Sequence, residues 1–185
     1  MDSRQTLDEI RGILNSGKSI PGMRLAEWLT CNDLEVLGAC HEALTEHFDR
    51  LDAKGKTRFR EPSEFVCARM LEYFRRCLLE NRPGEFAGNR FQAGRCLYNW
   101  FLSLSARDVV EPEMLDDIKQ MLADVYKFSG REVRDCIVTS CLEHLFESRR
   151  IAEYFSDWAE DPALKAAYAE ALEWGRGFWP GQRGY

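Results

Sequence analysis

Residues 32–51 read NDLEVLGACHEALTEHFDRL, and the spacing of their apolar positions decides the fold class. Leu34, Leu37, His41, Leu44, Phe48 and Leu51 recur every three or four residues, which gathers them on one face of a helix. Asn32 and Glu35 sit three apart in front of that run, the pattern of a capping box in which each side chain satisfies the other's free amide. Gly55 and the polar run that follows close the segment. Ser63 then reads as the cap of a helix reaching about Asn81, and its apolar residues Phe65, Val66, Met70, Phe74, Cys77 and Leu78 cover more than one stripe. A helix of that kind has partners on two sides and is central.

The same punctuation extends in both directions. Thr6 to Glu9 reads as a capping box ahead of Ile10, Ile13 and Leu14, with Gly17 as the stop. A short helix carries Leu25, Trp28 and Leu29. Downstream, Ala93 and Gly94 permit close approach on a helix that also holds Leu97, Trp100, Phe101 and Leu104. Pro112 suits a first helical position, and Leu115, Ile118, Leu122 and Val125 form the next stripe. Ser129 to Glu132 reads as a third capping box, leading into Val133, Ile137, Cys141 and Leu145. Ile151, Phe155 and Trp158 mark a short helix, and Asp161-Pro162 opens a last one with Leu164, Ala167, Tyr168, Ala171 and Leu172. No stretch alternates with period two between turn signals. The expected fold is all-α with about eight or nine helices, an irregular multi-helix bundle or a short HEAT-like stack of antiparallel hairpins. A single domain over 1–185 is expected, with 175–185 as an aromatic tail holding Phe178, Trp179 and Tyr185.

Composition limits the function classes. The chain has 185 residues, a net charge of −6, 45% hydrophobic and 12% aromatic content, which is globular and neither disordered nor fibrous. No apolar run approaches the ~18 residues of a membrane span, and MDSRQTLDEI lacks the layout of a signal peptide, so a cytoplasmic location is expected. Seven cysteines in odd number, widely spaced and without any C-x-x-C, argue against both a disulfide framework and a zinc site. Charge is unevenly spread: residues 1–53 carry net −5, 54–107 net +6 and 108–185 net −7. The basic middle either binds an anion or complements the acidic ends, and the acidic whole makes nucleic-acid binding improbable.

Catalytic signatures are missing. The residues three before the histidines are Gly38, Leu44 and Cys141, so the paired Glu-x-x-His motif of di-metal bundles is absent. No phosphate-binding P-loop, nucleophile elbow or H-E-x-x-H occurs; no catalytic residue, metal or cofactor is assigned. Two constellations remain. Arg69 and Arg76, seven apart on one helix face, could clamp a carboxylate or phosphate, or snorkel over the core. Cys141 and His144 share a face and form a thiol–imidazole pair only where that face is open and a third group orients the ring. A helical enzyme or small anionic-ligand binder would use these four residues.

The segment CLEHLFESRRIAEYFSDWAEDPALKAAYAEALEW, Cys141 to Trp174, resembles the C-terminal part of small all-helical bacterial proteins, some of them similar to immunity proteins of polymorphic toxin systems. The resemblance implies a non-catalytic partner-binder and carries over no functional residue. With Trp174, Phe178, Trp179 and Tyr185 as candidate contacts, the leading expectation is a protein-interaction module with a basic protein partner, since aromatics and arginine dominate binding hot spots.

Overall fold

The computed structural model describes residues 2–51, 64–106 and 112–179. They form nine helical segments: α1 (Ser3–Asn15), α2 (Gly22–Trp28), α3 (Leu34–Thr45), α4 (Glu64–Glu80), α5 (Arg90–Ser105), α6 (Pro112–Phe128), α7, α8 (Arg149–Tyr154) and α9 (Lys165–Arg176). Helix α7 is continuous but changes pitch: Arg131–Ile137 is α-helical, Val138–Leu142 is π-helical, and Glu143–Phe146 returns to α. Short 3-10 turns occupy Phe48–Arg50 and Ser156–Ala159. Extended pairing among the described residues is limited to one isolated bridge, Ile20 with Leu51. The class is all-α. Ser63 and Gly55, expected as a cap and a stop, lie outside the described residues, as does Tyr185.

The chain divides into two units, Met1–Cys77 with Asn81–Asn89 and Leu78–Glu80 with Arg90–Tyr185. In the first, Ile10, Ile20, Trp28, Leu37 and Phe74 are fully buried. Helix α1 begins a turn earlier than its sequence suggests. Asp2 is the cap, its carboxylate accepting from the Arg4 amide at 2.9 Å, while Thr6 lies inside the helix and donates back to the Asp2 carbonyl. The Thr6–Glu9 capping box is thus corrected: an aspartate one turn upstream satisfies the free amides first. The second box is corrected too. Asp33 caps α3, accepting from Glu35 and Val36, and the Glu35 carboxylate instead takes the amides of Phe86 and Ala87.

Helix α3 also stops at Thr45, short of the predicted Leu51. The chain turns there because Leu51 bridges Ile20 and the Ile20 amide donates to the Arg50 carbonyl at 2.8 Å. The Arg50 guanidinium donates to the carbonyls of Ile13, Leu14 and Lys18, closing the C-terminal end of α1 where helix carbonyls lack internal partners.

In the second unit, Leu97, Phe101, Ile137, Leu142, Phe146 and Phe155 are buried. Gly94 does permit close approach: a Cβ there would fall 1.9 Å from the Ser140 hydroxyl, in the π-helical turn. The third expected capping box is not formed. Gly130 caps α7 without a side-chain bond, Ser129 Oγ is buried without a partner, and Glu132 pairs with Arg90 at 3.1 Å.

Candidate functional site

The last helix carries two faces of different chemistry. Leu164, Ala167, Ala171 and Gly175 face inward and are buried. Gly175 lets α9 lie directly on α7, since a Cβ there would meet the Phe146 carbonyl oxygen at 2.3 Å and its carbon at 2.5 Å. The expected tail therefore starts later, because Gly175 and Arg176 continue the helix. Glu170, Glu173, Trp174, Gly177 and Phe178 follow the three- and four-residue helical spacing on the neighbouring stripe. Together with Glu143 of α7 they line an open groove of about 560 Å³.

This groove combines unpaired charge with exposed rings. Trp174 is 48% and Phe178 45% exposed, their centroids 5.9 Å apart with planes tilted by 43°. Glu143, Glu170 and Glu173 have no ion-pair partner among the described residues. Partial burial holds the Glu143 carboxyl above its ordinary range, and the negative charge of Glu170 pushes in the same direction, against a smaller opposing pull from His144. Gly177 adds no side chain to the floor.

Two other clefts of this unit lack that imbalance. One, of about 250 Å³, is lined by Asp116, Lys119, Lys127, Asp157 and Asp161, and its lysines pair internally, Lys119 with Asp157 at 2.6 Å and Lys127 with Asp161 at 2.7 Å. The other, about 200 Å³, is apolar around Phe101, Leu115 and Ile151, and Arg150 at its edge donates to the Ser105 carbonyl.

The candidates from sequence are distributed as follows. Trp174 and Phe178 share the groove. Trp179 does not: its indole donates to the Phe146 carbonyl at 2.9 Å and Arg149 lies over its ring. Arg69 donates to the carbonyls of Leu29 and Cys31 and to the Asn32 side chain, and Arg76 to the Asn32 carbonyl at 2.5 Å. These guanidiniums hold the α2–α3 connection to α4. Cys141 and His144 belong to the other unit from the two arginines. Cys141 is 1% exposed, and burial pushes its thiol well above the ordinary range, so it stays protonated. His144 Nδ1 lies 3.0 Å from Glu147 Oε1, and its ring packs on Tyr98. Glu147 is the orienting group that sequence did not point out, but the thiol it would serve is sealed. Among the described residues no group of three His, Cys, Asp or Glu side chains is placed to hold a metal ion, and no helix is long and apolar enough to cross a membrane.

His41 is a packing residue. Its ring stacks on Tyr73 and meets the edge of Phe74, each at 5.4 Å, and burial lowers its pKa to about 4. The unfolded chain, with an ordinary imidazole, binds the extra proton first, so stability present at neutral pH falls as pH drops from about 6.5 through 4. Roughly 3 kcal/mol should be lost, and urea midpoints at pH 7 and pH 4 should show that loss in wild type and less of it in His41→Gln.

No family model, curated protein or solved structure matches the chain.

Proposed function

We propose that the chain is a non-catalytic protein-interaction module that holds a basic partner on the α9 groove. The observation that carries this reading is the set of three unpaired carboxylates, Glu143, Glu170 and Glu173, around two exposed rings. Unneutralised negative charge steers a positive partner and weakens with salt, while Trp174 and Phe178 offer apolar area at low entropic cost. Glu143, Glu170, Glu173 and Trp174 all lie in the Cys141–Trp174 segment, whose resemblance to immunity-type proteins motivates a basic toxin as the specific partner.

The competing reading, an enzyme or anionic-ligand binder using Arg69, Arg76, Cys141 and His144, gains no support from a protonated, sealed thiol and guanidiniums already donating to carbonyls. Binding to a labelled peptide of alternating basic and alanine residues tests the proposal. Wild type should bind at about 50 mM salt, lose most affinity at about 500 mM, and lose about tenfold on Glu170→Gln with Glu173→Gln. Undiminished binding by the double variant would overturn the groove as the contact surface.

A further inference from the structure

We infer that the groove is anchored by an arginine of the partner, with lysine a poor substitute: the guanidinium stacks on Trp174 and pairs with the carboxylates of Glu170 and Glu143. The inference rests on the basic-partner reading and deepens it by naming the recognised group.

Shape is the first argument. The depression is wide and open, about 560 Å³, and its floor at Gly177 carries no side chain. A compact ammonium in so open a site keeps its water and touches one carboxylate at a time. A planar guanidinium is less tightly hydrated, lies flat on an indole, and still directs N–H groups outward from its edge. Trp174 offers that ring face at 48% exposure, and Phe178, tilted by 43° beside it, walls one side.

Charge is the second. Glu170 is one helical turn before Trp174 on the same stripe, and Glu143 comes from α7 against which α9 is packed. Two acceptors from different helices suit a forked donor better than a point charge. Glu143 is partly buried beside the like charge of Glu170, and a guanidinium supplies both carboxylates with a counter-ion through directed hydrogen bonds. The same molecule already uses this contact elsewhere, with the Arg149 guanidinium 5.9 Å over the Trp179 ring and that of Arg134 5.3 Å over Tyr126. Among the described residues, those lining the groove supply rings and carboxylates and no cation.

The test compares two short labelled peptides, one of alternating arginine and alanine and one of alternating lysine and alanine, by fluorescence anisotropy against the whole chain. The arginine peptide should bind about fivefold more tightly. Trp174→Leu, which keeps apolar bulk and removes the π face, should bring the arginine peptide's affinity down to that of the lysine peptide and so abolish the preference. Trp174→Phe should restore part of the preference, which a purely structural role for the indole would not. Equal binding of the two peptides by wild type overturns the arginine anchor and leaves the basic-partner reading standing. A preference that survives Trp174→Leu also overturns it, and binding of neither peptide overturns both.

Discussion

Phe155→Ala is expected to remove about 3–5 kcal/mol of folding stability, the range for truncating a buried phenylalanine that its neighbours cannot collapse around. The ring is fully buried and meets four others: Trp158 at 5.2 Å, Phe146 at 5.5 Å, Tyr154 at 5.6 Å and Phe101 at 5.7 Å between centroids. Those rings come from α5, α7, α8 and the following 3-10 turn, so a void there opens between separate elements. The edge-to-face and tilted geometries are lost together with the buried area. Phe128→Ala supplies the contrast, because that ring is 87% exposed and its removal should stay within about 0.5 kcal/mol. Urea titration with an unchanged slope reads both. A loss below about 1 kcal/mol at Phe155 would show that the cluster is loosely packed and repacks around the gap.

The helical class was legible because period 3.6 survives local error. Ile10, Leu37, Phe74 and Leu145 are buried where their spacing placed them. Helix starts were less legible, for one shared reason. Each of the three expected capping boxes pairs residues that other groups claim: Asp2 takes over from Thr6, the Phe86 and Ala87 amides draw Glu35 away, and Arg90 takes Glu132. A cap motif reports what four residues do alone: Glu35 and Glu132 met partners distant in sequence, and Thr6 gave way to a cap one turn upstream.

Arg69 and Arg76 were recognisable as a pair on one face but not by their use. Their acceptors are mainly main-chain carbonyls of Leu29, Cys31 and Asn32, and a carbonyl has no residue signature. The groove was half legible. Trp174 and Phe178 stood out by type, and the Glu170–Trp174–Phe178 spacing of four was present in the sequence as a stripe. Glu143 could not be added to it without knowing that α9 packs on α7, a pairing set by Gly175, which reads in sequence as a helix stop.

Three glycines within helices separate propensity from packing. Gly12 in α1 is exposed, and a Cβ there would meet nothing within 4 Å. Gly12→Ala should therefore stabilise by about 0.5–1 kcal/mol, the helical advantage of alanine. Gly38 in α3 has that same advantage to gain, but its Cβ would lie 2.5 Å from the Phe86 carbonyl oxygen, 2.6 Å from its carbon and 2.9 Å from the Ala87 nitrogen. All three atoms are backbone, in the segment whose amides Glu35 also holds, so no side chain can swing aside. Overpacking against fixed backbone should outweigh the propensity gain and leave Gly38→Ala about 2–3 kcal/mol less stable. Gly175→Ala meets the Phe146 backbone in the same way, and there the consequence reaches the groove, since α9 must move off α7 and take Glu170 and Trp174 away from Glu143. Its expected signature is a loss of both stability and peptide affinity, whereas Gly38→Ala at a denaturant concentration that keeps it folded should bind as wild type does. Thermal melts of the three variants, with anisotropy on the folded ones, decide the matter: a Gly175→Ala chain that binds the arginine peptide normally would mean that α9 does not position the groove.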